Sequence, residues 1–404
     1  MQPRDASRRE TAADDLVETV VGAGYRPVAS IGGGGMGMVY RAWDHTADRY
    51  VVLKVPRREL LVDPGFRARF DLEMQAARRM THDGVVRVLD FGVHGDLPYA
   101  VLRYMAGGTL SARRPSQAGR PIPAASALLR HWLVAVADAL DHVHARGYVH
   151  RDVKPANILF DGRGRPHLGD FGIAKAIRPA APDGSRPSAP GLTVAGLAIG
   201  TPEYMAPEVV LGQPLDGRAD QYSLAVVVFE FLTALLPITA STPSATMVAQ
   251  ATRSAPDPWT VRPELPASLR HALLRALAKD PAGRFASCRE FVDVALTDVP
   301  EDPGDPQPRL TCPGCGSLVG VRPEMAGGGG TCPQCRATLR ITPDLEAIVL
   351  PEETVPRPRR SPGGLPPAGG RAGTPSAPLV FVAWALAGLA TLVVAWLVLR
   401  GYHR

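Results

Sequence analysis

Several things are scarce in this 404-residue chain. No apolar run opens it: Met1 to Glu18 is polar and charged, so no secretory signal peptide is expected. No basic stripe with interleaved aromatics is present, so the net charge of +6 reads as an Arg-rich composition and no nucleic-acid partner is expected. Cysteine is rare. Of five, four fall in two C-x-x-C pairs, and Cys288 stands apart as a core thiol. Only one long apolar run is present, Leu379 to Leu399, and it carries no charge. What is abundant is Gly (41) and Pro (40), unevenly spread, which marks linkers between two or three domains.

The most informative stretch is His150-Arg151-Asp152-Val153-Lys154-Pro155-Ala156-Asn157. Each polar group in it suits one part of phosphoryl transfer. A carboxylate accepts the proton of an attacking hydroxyl, an ammonium neutralises phosphate charge, and an amide oxygen ligates a metal. The apolar Ile158-Leu159-Phe160 that follows would anchor the loop on a short buried strand.

Other segments could supply this loop with partners. Ile31-Gly32-Gly33-Gly34-Gly35-Met36-Gly37-Met38-Val39 contains G-x-G-x-x-G, whose glycines let backbone approach phosphates closely. Its flanks, Tyr25 to Ile31 and Met38 to Trp43, both read as strands, which favours a hairpin over a strand-turn-helix unit. Tyr50 to Val55 reads as a buried strand carrying Lys54, which needs an anionic partner, phosphate or carboxylate. Phe66 to Met80 has helical periodicity and carries Glu73, within reach of Lys54, with Asp71 as a competitor. Val85 to Phe91 and Tyr99 to Tyr104 complete a sheet-rich first lobe. Beyond Pro123 the pattern turns helical: Ala127 to Arg146, Asp220 to Leu235, Leu269 to Ala278 and Cys288 to Leu296. Between them, Leu168-Gly169-Asp170-Phe171-Gly172 sets a second Asp in an apolar context suited to Mg2+. The segment from Ala176 to Gly191 reads as a mobile loop.

In order and spacing these motifs resemble the eukaryotic-type (Hanks-type) bacterial Ser/Thr protein kinases, over Tyr25 to Leu296. The resemblance implies an α+β bilobal protein-kinase fold, with a small β-rich N-lobe and a large helical C-lobe, across residues 25–297. It implies that Gly32 to Val39 covers the ATP phosphates and that Lys54, held by Glu73, pairs the α- and β-phosphates. Asp152 would be the catalytic base, Lys154 would contact the γ-phosphate, and Asn157 and Asp170 would hold Mg2+. Leu102 would be the gatekeeper, with Arg103 to Met105 as the hinge at the adenine. Thr201 would support the catalytic loop, Asp220 would brace its backbone, and Glu208 would pair with Arg284. Arg151 would meet a phosphate on the activation segment, with Thr193 as the autophosphorylation site, Ser185 and Ser188 as alternatives, and a second copy of the chain as the partner for transfer in trans. Three departures from the pattern stand out: Arg103 where Glu is common, Ala225 and Ala234 where glycines are usual, and a long, Pro-rich activation segment.

Cys312-Pro-Gly-Cys315 and Cys332-Pro-Gln-Cys335 match a structural Zn2+ ribbon over residues 309–342, with two disulfides or a redox pair as alternatives. Residues 1–24 read as a flexible leader and 343–378 as a disordered Pro/Gly/Arg linker. Leu379 to Leu399 would span about 31 Å as a helix, the thickness of a bilayer core. Arg357, Arg359, Arg360 and Arg371 precede it, so the expected arrangement is a single-pass inner-membrane protein with the kinase in the cytoplasm and no outward sensor domain. The function expected is phosphorylation of protein Ser/Thr hydroxyls. The alternatives are a pseudokinase scaffold acting through ribbon and tether, and a small-molecule kinase; Gly200 to Glu208 and Arg284 weigh against the latter.

Overall fold

The computed structural model describes residues 20–34, 37–113, 125–170, 193–194, 197–198, 201–299, 308–342 and 347–349. All of them fall in one unit, Met1–Pro351. Gly35, Met36, most of the expected leader, the activation segment around Ser185, the linker and the 379–399 run lie outside the described residues.

The first lobe is one antiparallel sheet of β1 (Tyr25–Gly34), β2 (Gly37–Asp44), β3 (Arg49–Pro56), β4 (Val88–His94) and β5 (Leu97–Arg103). Its spatial order is β1-β2-β3-β5-β4. Alternation along β3 builds two cores. Val51, Leu53 and Val55 pack outward with Tyr40, Ala42 and Tyr99. Val52 faces the other way, toward Phe70 and Met74 of helix α1 (Pro64–Arg79) and toward Ala100 and Leu102. Helix α1 starts where Asp63 accepts the Gly65 N–H at 2.9 Å, with Pro64 in its first turn. At the tip of the first hairpin only glycine fits position 37, since a Cβ there would collide with the Val55 carbonyl oxygen. The strand expected from Val85 starts later, at Val88, because Val86 donates its N–H to Leu168 at 2.9 Å across the lobes.

The second lobe is built on α2 (Ala125–His144) and α4 (Arg218–Thr233), with the short α3 (Pro207–Val210) between them in sequence. Nearly every residue of α4 is buried, as its all-round hydrophobicity predicts. Helices α5 (Pro243–Thr252), α6 (Ala267–Ala276) and α7 (Cys288–Ala295) pack around it. Trp132, Tyr222, Phe229, Phe285 and Phe291 fill the core, each worth about 2–3 kcal/mol of burial. Helix α5 is absent from the sequence expectations. Its start was nonetheless encoded: Thr242 caps the Ala245 N–H at 3.1 Å, with Pro243 next.

In the second lobe, β6 (Ile158–Phe160) pairs with β7 (Pro166–Leu168). Thr193–Val194 (β8) and Leu197–Ala198 (β9) form a two-residue ladder. Residues 308–349 make a small β unit: β10 (Arg309–Thr311) with β11 (Leu318–Gly320), and β12 (Gly329–Thr331) with β13 (Thr338–Ile341) and β14 (Ala347–Val349).

Candidate active site

The loop from His150 to Asn157 sits between α2 and β6 and is held by buried polar groups. Asp220, in the first turn of α4, is fully buried. Its Oδ2 accepts the His150 N–H and its Oδ1 the Arg151 N–H, both at 2.7 Å. Burial would raise this carboxyl pKa, but the bond to His144 and the backbone donors push it below the usual range. His150 is buried as well. Its ring reaches the Gly169 carbonyl at 2.9 Å, and burial lowers its pKa. Gly169 N–H in turn donates to the Asn157 carbonyl at 2.8 Å. The loop carrying Asp152 and the turn carrying Asp170 are therefore tied together twice.

Within that frame the polar groups converge. Lys154 Nζ lies 2.9 Å from Asp152 Oδ2 and 3.2 Å from the Thr201 hydroxyl. Asn157 Nδ2 donates to the Asp152 carbonyl at 2.7 Å and to its Oδ2 at 3.1 Å, which leaves the amide oxygen of Asn157 for another ligand. Lys54 Nζ donates to Asp170 Oδ1. Burial opposes ionisation of Asp170, and Lys54 overcomes it, so the carboxyl pKa is lowered. Arg151 and Asp170 both hold left-handed backbone, at φ 63° and 57°. Strain of this kind persists only where surrounding bonds fix it, as the Asp220 and Gly169 contacts do here. The cleft beside Lys54 and Asp170 is lined by Met74, Ala77, Val86, Val88 and Leu102.

Some residues do not meet as the sequence suggested. Lys54 contacts Asp170; Glu73 lies on α1, but its side chain is outside the described residues. Thr201 meets the catalytic loop as expected, through Lys154. Among the described residues Arg151 Nε and one Nη are buried without a hydrogen-bond partner; burial lowers its pKa to about 10, with the Asp220 carboxylate opposing the shift. The side chain of Thr193 is outside the described residues. Elsewhere, Arg284 and Glu208 form a buried two-pronged pair at 2.7 and 2.9 Å. Arg284 also donates to the carbonyls of Ala278 and Arg218, both at 2.8 Å. The unusual Arg103 has a partner of its own, Asp161, at 3.8 Å.

Comparison with known proteins agrees with this geometry. Residues 25–295 match the protein kinase domain family. The chain belongs to that family. It is 38% identical over 294 residues to the serine/threonine-protein kinase Pkn1 of Myxococcus xanthus, covering 71% of this chain and 40% of the relative. It is 37% identical over 289 residues to PknJ of Mycobacterium tuberculosis, covering 70% and 46%. The chain thus spans about half or less of these relatives. Among solved structures, the PknI kinase domain of M. tuberculosis matches with a TM-score of 0.52 and 32% identity, covering 70% of this chain and 98% of that one.

Sequence reasoning missed one member of this kinase site. His144, at the end of α2, lies 2.7 Å from Asp220 and 3.7 Å from Asp141. Burial would lower its pKa, but these two carboxylates hold it at about 9, so a protonated imidazole sits behind the Asp220 brace. The available signal was Asp141 and His144 at i,i+3 on a helix leading into the loop.

The four cysteines form a second candidate site. Cys312 Sγ lies 3.7 Å from Cys335 Sγ, Cys315 Sγ lies 3.7 Å from Cys332 Sγ, and all four are free thiols. All four sulfurs fall within 4.8 Å of one another. Sulfurs about 2.3 Å from a tetrahedral Zn2+ stand about 3.8 Å apart, so this donor set fits zinc. The two knuckles repeat one backbone design. Gly316 and Arg336 each follow the second cysteine at φ 74° and 60°, and each donates its N–H to the first cysteine's carbonyl, at 2.8 and 2.9 Å.

Among the described residues no helix is long and apolar enough to cross a membrane.

Proposed function

We propose that the chain is an ATP-dependent kinase of Ser/Thr hydroxyls on proteins. The observation that carries this reading is the convergence of Asp152, Lys154, Asn157 and the Lys54–Asp170 pair on one cleft, tied by shared hydrogen bonds. The relatives' names as serine/threonine-protein kinases support it.

The Asp152 carboxylate orients the substrate hydroxyl and takes its proton as the oxygen attacks the γ-phosphorus and the bond to ADP breaks. Lys154 sits between that carboxylate and Thr201, placed to offset charge on the phosphoryl oxygens. Lys54 moves from Asp170 to the α- and β-phosphates when nucleotide binds. Hinge backbone from Arg103 to Met105 takes the adenine, and the glycine hairpin covers the phosphates. The Asn157 amide oxygen and the Asp170 carboxylate are hard donors of the kind that hold Mg2+, which neutralises phosphate charge when bound.

Several finer features belong to the same proposal. Arg151, whose buried Nε and one Nη lack hydrogen-bond partners among the described residues, is suited to a phosphate on Thr193, added by a second copy of the chain. Cys312, Cys315, Cys332 and Cys335 hold a structural Zn2+. Leu379 to Leu399 anchors the chain in the inner membrane with the kinase in the cytoplasm. The test is incubation of the full chain with Mg·ATP and a Ser/Thr peptide library, with phosphosites mapped by mass spectrometry. Label on peptides and on Thr193 supports the reading. Label on neither peptide nor protein, with Mg·ATP bound, would overturn it.

A further inference from the structure

The β unit at 308–349 does not stand clear of the kinase lobes. Thr311 donates its backbone N–H to the carbonyl of Ala106 at 2.6 Å. Two residues on, the Pro313 carbonyl accepts from Arg41 Nη2 at 2.9 Å. Between them stands Cys312, one of the four sulfur ligands. Three consecutive residues thus make two anchors with a metal ligand in the middle.

The anchors belong to different lobes. Arg41 pairs across β2–β3 with Val52, as Val39 pairs with Lys54. By strand alternation Arg41 therefore shares the sheet face of Val39 and Lys54, which looks onto the cleft. It moves with the N-lobe. Ala106 lies just past the hinge, in a stretch bonded to the C-lobe: Gly107 N–H donates to Phe160 and Leu110 N–H to Ile158, at 2.9 and 2.7 Å. A third contact supports the second anchor. Gly108, at φ 72°, faces the unit so closely that a Cβ there would lie 3.3 Å from Leu318 and 3.4 Å from the Thr311 hydroxyl. Leu318 is not among the residues of the unit's own core, so its side chain is free to serve this contact.

We infer that the zinc-loaded ribbon is a brace across the kinase hinge, and that metal at Cys312 sets how tightly the cleft holds nucleotide. This rests on the zinc reading above. The tripeptide 311–313 keeps its two carbonyl-and-amide anchors at a fixed separation only while its central cysteine is fixed. Without metal the ribbon has almost no core to hold that shape. Lobe rotation changes the distance from Arg41 to Ala106, so a rigid strap between them narrows the range of interlobe angles. The angle it holds is the one in which Lys54 meets Asp170 and the catalytic loop is assembled. Zinc loading thereby favours the nucleotide-binding arrangement.

The experiment uses the full chain, with zinc content measured per protein. Its two readouts are the Kd for Mg·ADP by calorimetry and hydrogen exchange over 37–44 and 103–108. Chelation of zinc is expected to weaken Mg·ADP binding by about fivefold or more, the lower end of ordinary coupling between sites, and to speed exchange in both segments. Adding zinc back restores both. The Leu318→Arg variant, which keeps all four cysteines, is expected to bind one zinc yet show the weaker Kd. If zinc binds but its removal leaves the Kd and the hinge exchange unchanged, the brace is overturned and the zinc site stands. A chain that binds no zinc overturns both.

Discussion

The helical lobe and the cysteine ribbon solve the same problem with opposite means. Among the described residues, a cluster of 38 buried apolar residues is centred on the helical lobe, which can therefore keep charged groups inside it. Among the described residues the ribbon's cluster has six, two of them cysteines, so under the zinc proposal metal would supply much of its fold. This difference explains where polar chemistry sits. In the large lobe, Asp220, Glu208 and Arg284 are almost fully buried and each is fully bonded, which fixes the catalytic loop without solvent. In the ribbon the four sulfurs gather instead, two of them buried (Cys312 and Cys332) and two exposed (Cys315 and Cys335). A region with surplus core can build a preorganised active site. A region without it can serve as a strap whose rigidity depends on a ligand.

The comparison can be broken most directly by removing zinc. Structural zinc contributes about 10–16 kcal/mol in small sites, so chelation should abolish exchange protection over 309–342 while protection in α4 and α7 stays as it was. Persistence of ribbon protection would show that the ribbon folds on its own core. The next largest effect is Arg284→Ala. It strands Glu208 inside the lobe, and a loss of about 3–5 kcal/mol is expected in urea unfolding, with zinc affinity unchanged. A loss below 1 kcal/mol would mean that water reaches the site.

A pH series sharpens the account of the buried network. His144 has its pKa raised from 6.5 to about 9 by Asp141 and Asp220, against the opposing effect of burial. A raised pKa stabilises the fold fully below about 6.5 and is lost as pH rises through about 9. Stability of the helical lobe should therefore fall over that window, by at most about 3 kcal/mol, and His144→Gln should flatten the curve. The smallest effect is a gain. Ala234 ends α4 at φ 60°, where its N–H bonds Glu230 at 2.8 Å, a position that favours glycine. Ala234→Gly should raise the melting temperature, corresponding to about 1 kcal/mol. An unchanged or lower melting temperature would count against the strain.

Much of this architecture was legible because chemistry and periodicity coincided. The five strands, the helix bearing Glu73 and the buried α4 follow from alternation and all-round hydrophobicity. Asp152, Lys154 and Asn157 announce themselves by lying in one octapeptide. Two long-range pairs, Asp220 with the catalytic loop and Glu208 with Arg284, were expected only through the family resemblance, and other long-range partners escaped. Lys54 was known to need an anion, yet its choice of Asp170 depends on a turn 116 residues away. The protonated His144 is invisible without knowing that Asp220 lies behind it. Nothing in Thr311 or Pro313 hints at Ala106 and Arg41, since backbone carbonyls and amides leave no compositional trace. Arg103 looked like a departure until Asp161 supplied its partner.

In the proposed function Asp152 acts in phosphoryl transfer on a cleft whose nucleotide site is built by other residues. The most direct test is a parallel measurement of turnover and of Mg·ATP affinity for the full chain and for Asp152→Asn. The account predicts a fall in turnover of about a hundredfold or more, the usual range for losing a positioned base, with affinity changed less than about twofold. Unchanged turnover would contradict the claim, and so would a loss of affinity as large as the loss of turnover.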